Sequence, residues 1–354
     1  MARILYGVHG SGHGHAMRAL TIARRYSGHQ FLFLGSGAGL DLLRREYPVF
    51  DCPNLDTPIR GHRVAMAALL RHNLPVWLQR KRWTESVRRL IESYRPDAVL
   101  TDYEFFTPLA CRSLGIPCLS VDHQHVITSS FHSVPARQLS SYFATCCSID
   151  FLFSNASEYL VISFFRPAVR NGRPVRLVAP LLRESVLAKE PSDAGHVVAY
   201  QGHPTNERFF SFLKATGRRV MVYGLDREGS EGDLHFRKYS EEGFLDDVAS
   251  SRYVMCGGGH TLISEALFLG KPVVSFPIAN AFEQYLNAFY LERMGWGANA
   301  SAACRPRDFI ASFEARLDVY RENIGRAKFV GNDDLCSLLD HYFQHRRLPD
   351  AAVE

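Results

Sequence analysis

Short apolar runs alternate along the chain with stretches in which apolar residues recur every three or four positions, the pattern of buried strands exchanging with amphipathic helices. In the N-terminal half, residues 3–8, 30–34, 49–52, 98–101 and 117–121 predict strands. Residues 16–26, 41–47 and 108–114 predict helices, and 63–94 reads as helical with a break near Pro75. Over 140–180 the pattern blurs. Residues 152–153 and 161–165 are candidate strands there, and Asn171, Gly172, Pro174 and Pro180 punctuate the chain. A second alternation follows, with strands at 196–200, 219–223, 234–237, 253–255 and 273–276, and helices at 206–215, 244–250 and 261–269. A further helix opens near Phe282, and 306–325 and 333–346 look helical. Strands alternating with helices imply parallel sheets covered on both faces. The chain therefore reads as an α/β protein of two doubly wound, Rossmann-like domains with a cleft between them. The expected boundaries are 1–165 for the first domain, 166–180 for a linker and 181–330 for the second. Residues 331–354 form a C-terminal helix and tail, the helix packing back on domain one.

Composition narrows the class. The 46% apolar and 22% charged fractions are those of a globular protein, and 354 residues suffice for two domains. A net charge of +5 permits attraction to anionic ligands or a membrane surface, and no nucleic-acid motif accompanies it, so nucleic acid is not an expected partner. Eight cysteines are scattered without a CxxC pair. Residues before Gly7 pattern as a strand, and no apolar run approaches 20 residues. A reduced, cytoplasmic protein with free thiols is the expectation.

Candidate chemistry concentrates at strand ends. In 253–288 a strand meets Gly257, Gly258 and Gly259, and a helix opens with His260 and Thr261. Strand, Gly-rich turn and helix aim backbone N–H groups and a positive helix end at a phosphate. Glu265, one turn later, is placed to accept two hydrogen bonds from a ribose diol. Glu283 and Gln284, at the tip of the next strand, are placed to read sugar hydroxyls. This is the pattern of a nucleotide-sugar site; an ordinary βαβ turn is the alternative. Gln201, Gly202 and His203 follow the first strand of domain two and would touch the donor pyrophosphate, while the backbone near Phe244 would read a base edge.

In domain one, Gly10, Gly12, His13, Gly14 and His15 form the loop after the first strand. The spacing is not GxGxxG, and the second strand ends at residues 35–39 without an acidic residue for a ribose, which argues against a dinucleotide. His15 is a candidate general base for an acceptor hydroxyl, since imidazoles titrate near neutral pH. The alternative is that His13 and His15 only hydrogen-bond the turn. Asp102 would orient His15 or bind an acceptor hydroxyl. Glu104, Asp122 and His123 (with His125) follow strands of the same sheet and are candidates for the acceptor wall, Asp122 and His123 also for an acid–base pair. The histidines match no zinc spacing, so no metal or other cofactor is expected. Residues 63–95 interleave Arg71, Arg80, Lys81, Arg82, Arg88, Arg89 and Arg95 with Leu69, Leu70, Leu74, Trp77, Leu78 and Trp83. Such a stretch suits peripheral contact with an anionic membrane and equally a solvated helix face over a core.

Three segments together carry a family resemblance: GSGHGHAMRAL in the first loop, PDAVLTDYEFF with GIPCLSVDHQH in domain one, and GGGHTLISEALFLGKPVVSFPI with EQYLNA in domain two. The chain resembles the GT-B glycosyltransferases, close to the group containing the UDP-N-acetylglucosamine transferase that makes lipid II. The resemblance implies that domain one binds an acceptor, with Gly12, His13 and Gly14 beside it and His15 facing the reaction centre. It implies that residues 257–260 hold the pyrophosphate of a UDP-sugar, Glu265 its ribose, and Glu283 and Gln284 its hexose. The chain departs from the lipid II enzyme in carrying Arg18 where that enzyme keeps a proline, GHGH rather than GGH, and Glu283 in place of the first of two glutamines. N-acetylglucosamine, glucose, galactose and glucuronic acid all stay open as the hexose, and a glycolipid, saccharide or cell-envelope intermediate as acceptor. The expected activity is inverting, metal-independent hexosyl transfer; a UDP-sugar 2-epimerase and a non-catalytic nucleotide-sugar-binding protein are the competing readings.

Overall fold

The computed structural model describes residues 1–60, 62–170, 172, 174–202, 207–303 and 305–350. The first sheet has seven strands: β1 (Arg3–Val8), β2 (Gln30–Gly35), β3 (Val49–Asp51) and, beyond a short hairpin of β4 (Ile59–Arg60) and β5 (Arg63–Val64), β6 (Ala98–Asp102), β7 (Leu119–Asp122), β8 (Glu158–Ile162) and β9 (Val175–Val178). Their order is β3-β2-β1-β6-β7-β8-β9 and every pairing is parallel. Burial on both faces explains why β1 reads as a continuous apolar run. Ile4, Tyr6 and Val8 pack with Ala16, Ala19, Leu20 and Ala23 of the helix His13–Arg25 and with Leu335, Leu339 and Tyr342. Leu5, pointing the other way, joins Val87, Ile91, Phe106 and Ala110.

The second sheet also has seven strands: β10 (Val197–Tyr200), β11 (Val220–Tyr223), β12 (Gly229–Glu231), β13 (Leu234–Phe236), β14 (Tyr253–Cys256), β15 (Val273–Ser275) and β16 (Gly297–Asn299). Their order is β12-β13-β11-β10-β14-β15-β16, parallel except for β12 against β13. In each sheet the chain reverses its direction of travel once, between β1 and β6 and between β10 and β14. At such switch points the loops leaving neighbouring strands diverge and open a crevice.

The chain divides into two compact units, one of residues 1–58, 65–181 and 331–354, the other of 59–64 and 182–330. Four features depart from the sequence pattern. Residues 166–180 are not only connection: they contain β9, the edge strand of the first sheet. Residues 152–153 are not a strand; Ile149–Phe153 continues the helix Leu139–Ser148 as a π-type turn. Residues 63–64 belong to the hairpin rather than to a helix, because Val64 N–H donates to Ala279 O (2.9 Å) and Ala279 N–H to His62 O (3.0 Å), which ties 59–64 to the second unit. Pro75 does not break its helix. Proline removes a single hydrogen bond, and Met66–Leu78 continues past it to a break at Gln79.

The C-terminal helix Asn332–His345 lies in the first unit, anchored by Tyr342 OH to Val99 O (3.1 Å) and by Tyr26 OH to Cys336 O (2.9 Å). Residues 351–354 of the tail lie outside the described residues. Among the described residues no helix is long and apolar enough to cross a membrane. Because Leu339 is fully buried against the first sheet, Leu339→Ala is expected to destabilise this unit by about 2–5 kcal/mol, read as a shifted midpoint in urea unfolding.

Candidate active site

The loop from His9 leaves β1 at the first sheet's switch point. Gly12 has φ 83°, a left-handed conformation that glycine adopts without strain, and it turns the chain into the helix starting at His13. His15 therefore sits in the helix's first turn, where its Nδ1 lies 2.7 Å from Asp102 Oδ1 at the end of β6. Arg18, one turn further on, donates Nε–H to Asp102 Oδ2 (2.7 Å) and Nη2–H to Oδ1 (3.0 Å). Asp102 is fully buried. Burial works against its charge, but the Arg18 guanidinium and then the His15 imidazole outweigh it, and the carboxyl titrates below its usual range.

An ionised carboxylate only accepts, so the proton on Nδ1 of His15 is fixed by Asp102 and Nε2 is left as an acceptor. Gln124 Nε2 lies 3.4 Å from it. The His9 ring meets the His15 ring edge-on at 5.2 Å; burial, and next the charge of His15, push His9 down to about 3, so it is a neutral wall. Tyr103 runs nearly parallel to the His15 ring at 6.2 Å and stacks on Phe153 at 3.9 Å. Its φ of 53° is a left-handed conformation in a non-glycine residue beside Asp102, the kind of local strain that concentrates at functional sites. His13 is exposed, and Gly14 lies between it and His15 in the same turn.

The remaining acceptor-wall candidates turn inward. Glu104 accepts from the N–H groups of Phe106 (2.7 Å) and Thr107 (2.6 Å), capping the helix Phe106–Leu114, and is buried. Asp122 is buried under His125, whose N–H and Nδ1 reach it at 2.9 and 2.6 Å, and under Ser120. His123 is buried with its Nδ1 2.7 Å from Ile162 O. These contacts engage the three side chains in shaping the loops after β6 and β7.

In the second unit the loops after β10 and β14 meet at the other switch point. Gly258 has φ 113°, a conformation that strains any L side chain, and a Cβ there would crowd both Cβ and O of Gln284 at 3.1 Å. Asn287 Nδ2 donates to Gly258 O (3.0 Å), and Gln284 Oε1 accepts from Ile278 N–H (3.0 Å), which holds the turn against the next helix. A Cβ at Gly257 would stand 3.4 Å from Gln201 Oε1 and 3.8 Å from Gln284 Oε1. The helix His260–Phe268 opens after Gly259 with its first N–H groups beyond the turn; Thr261 is half-buried, and His260 is buried with its Nε2 3.4 Å from Ser264 Oγ. Glu283 lies in the first turn of Phe282–Arg293. Gly202 follows the buried Gln201, and His203 lies outside the described residues.

Glu265, 3% exposed, is gripped by a residue that no spacing pattern indicated. Arg183 donates Nε–H and Nη2–H to its two oxygens at 2.8 and 2.9 Å. Arg183 Nη1 also reaches Tyr239 OH (3.4 Å) and Glu241 (3.3 Å). Burial raises the Glu265 carboxyl above its usual range despite Arg183. A second residue missed by the sequence pattern is His62, whose Nδ1 lies 3.5 Å from Gln201 Nε2. For Phe244 the picture changes. Its side chain packs edge-on against Tyr200 and Tyr223, and its N–H donates to Ser240 O (2.9 Å), so a base edge cannot be read by that N–H. Among the described residues no group of three or more His, Cys, Asp or Glu side chains is placed to hold a metal ion.

A profile described as glycosyl transferase family 1 matches residues 2–318. The chain belongs to this family. An uncharacterised glycosyltransferase of Methanosarcina acetivorans is 25% identical over 89% of this chain and 88% of its own length. The UDP-N-acetylglucosamine–N-acetylmuramyl-(pentapeptide) pyrophosphoryl-undecaprenol N-acetylglucosamine transferase of Lawsonia intracellularis is 24% identical over 83% of this chain and 82% of its own. The glycosyltransferase UGT2 of Phytolacca americana, solved with UDP-2-fluoro-glucose and pterostilbene, superposes with a TM-score of 0.66 at 15% identity, over 98% of this chain and all of the other. The fold is thus GT-B, as the resemblance implied, and the protein is a glycosyltransferase.

In this glycosyltransferase the Arg183–Glu265 pair carries a stability consequence. Arg183→Leu leaves a buried carboxylate unpartnered and is expected to cost about 3 kcal/mol at pH 8. An unpaired buried carboxyl binds protons more tightly when folded than when unfolded, so its stability is present at low pH and lost as pH rises. The penalty in urea unfolding is therefore expected to be smaller at pH 5 than at pH 8.

Proposed function

We propose that this glycosyltransferase moves a hexose from a UDP-sugar to an acceptor hydroxyl with inversion and without a metal ion. The observation that carries the reading is the His15–Asp102 pair, which leaves one imidazole nitrogen as a positioned acceptor. The acceptor O–H gives its proton to Nε2 of His15 as its oxygen bonds to the anomeric carbon. The bond from that carbon to the UDP oxygen breaks, and its electron pair leaves with the diphosphate. Asp102 stabilises the imidazolium that results. Backbone N–H groups at Gly259, His260 and Thr261 and the positive end of their helix take up the diphosphate charge. Glu265, held by Arg183, receives the ribose hydroxyls, Gln201 and Gly202 lie beside the pyrophosphate, and Glu283 and Gln284 sort the hexose. N-acetylglucosamine, glucose, galactose and glucuronic acid are the candidate sugars. The solved relative that holds a UDP-sugar analogue supports the donor class.

A glycolipid or cell-envelope intermediate, met at the cytoplasmic face of a membrane, is the proposed acceptor. The Lawsonia relative's named activity supports this. So does the surface of the first unit, where Leu74, Trp77 and Leu78 are exposed and Arg80 stacks over the Trp77 ring at 3.9 Å, apolar side chains beside a cation as a headgroup layer would require.

His15→Gln is expected to lower kcat by about 10²–10⁴-fold while calorimetric UDP affinity stays at the wild-type value. Glu265→Ala is expected to weaken UDP binding about tenfold or more, and wild-type turnover should persist in EDTA. Near-normal turnover of His15→Gln would remove the base, unchanged UDP affinity in Glu265→Ala the donor site, and inhibition by EDTA the metal-free mechanism. In flotation with vesicles containing anionic lipid, replacing Trp77 and Arg80 together by Ser should abolish co-flotation; equal flotation of both proteins would remove the membrane argument.

A further inference from the structure

Arg18 lies in the GSGHGHAMRAL segment, where no role was assigned to it, and its guanidinium is buried, 9% exposed. It grips both oxygens of Asp102, and Oδ1 accepts from Arg18 and His15 at once, at 3.0 and 2.7 Å. Nη2 of Arg18 also stands 3.4 Å from Nδ1 of His15. Both are donors in this arrangement, so the contact is a cation set against the ring, not a hydrogen bond.

We propose that Arg18 is a positioning residue for His15: its fork fixes the plane of Asp102, and through Asp102 the Nδ1–H···Oδ1 bond that leaves Nε2 of the ring as the acceptor. The inference rests on the reading of His15 as the base.

Two parallel N–H···O bonds define a carboxylate's orientation as a single contact does not, and a lysine in the same place supplies the charge without the fork. Charge matters as much as geometry. A lone buried carboxyl takes up a proton, whereas Asp102 titrates below its usual range, with Arg18 the leading charge that opposes burial. An ionised Asp102 accepts the Nδ1 proton and leaves Nε2 as the acceptor, and a protonated one would not. Arg18 keeps Asp102 in the first of these states. The other groups against the ring do not replace it: from β1, His9 is neutral, from the turn after β6 comes Tyr103, and from the loop after β7 comes the neutral amide of Gln124. Asp122 acts on Arg18 only through its field. Among the described residues in contact with the ring, Arg18 is the cation and Asp102 the anion.

The test compares wild type, Arg18→Gln and Arg18→Lys in the intact protein. The readouts are kcat and the tautomer of the neutral His15 ring, followed by NMR of ¹⁵N-labelled histidine and assigned with His15→Gln. In Arg18→Gln the Nδ1–H tautomer is expected to lose its dominance and kcat to fall about tenfold or more. In Arg18→Lys the Nδ1–H tautomer should return while kcat stays about tenfold down, because the charge is restored and the fork is not. A folded Arg18→Gln protein with the wild-type tautomer and kcat would overturn the proposal. Should Arg18→Gln not fold, wild-type kcat in Arg18→Lys would overturn it. Failure of the base assignment looks different: the tautomer changes in Arg18→Gln while His15→Gln keeps its turnover, which leaves the clamp standing.

Discussion

A carboxylate with no access to water must be kept charged by its neighbours, and the first unit's site is built on meeting that demand at Asp102. Desolvation alone would neutralise the group. A guanidinium on one side and an imidazole on the other make ionisation the stable state. Everything that distinguishes His15 from an ordinary helix-surface histidine follows from this. The charge on Asp102 decides which ring nitrogen carries the proton, the short Oδ1 contact decides where the ring points, and the walls of His9 and Tyr103 keep the ring from swinging away.

The second unit meets a similar demand at Glu265 with a different result. There too a buried carboxylate receives both arms of a guanidinium. Yet Asp102 is shifted down and Glu265 up. Asp102 adds a short imidazole bond to its arginine, whereas Glu265 has Arg183 alone and lies in the field of Glu241, a like charge. The two carboxylates therefore suit different work. Asp102 accepts three hydrogen bonds and acts through His15. Glu265 keeps unused lone pairs in a setting where further donors would lower its energy, which is the condition under which a ribose diol binds well.

Much of this was legible because parallel sheets translate sequence into position. A residue just after a strand lies on the C-terminal edge, so Gly12, His15, Asp102, Gln201 and the Gly257 turn could be placed from local pattern alone. Direction was less legible. Glu104, Asp122 and His123 also follow strands, but whether such a side chain turns outward or caps its own loop depends on nearby N–H groups, and those of Phe106, Thr107 and His125 claim the two carboxylates. The hairpin at 59–64 was hidden for another reason: its hydrogen bonds run to Ala279, more than 200 positions away, and no periodicity within a window records such a partner. Arg183 was hidden in the same way, 82 positions before the glutamate it holds.

The two sites share a cause deeper than either set of side chains. In each sheet the turn of greatest chemical interest leaves one strand at the switch point, and its partner leaves the strand across it: His9 and Asp102 after β1 and β6, Gln201 and Gly257 after β10 and β14. Helices on opposite faces draw these loops apart, and the space between must be lined by groups that tolerate a vacancy or fill it with charge. Glycine meets the first requirement at Gly258, where a Cβ would crowd Gln284. The buried ion pairs meet the second: Arg18 comes from the helix that follows β1, Arg183 from the segment that opens the second unit. A motif read along the chain thus gives the anion of each pair a role and its cation none, although the cation decides whether that anion keeps its charge.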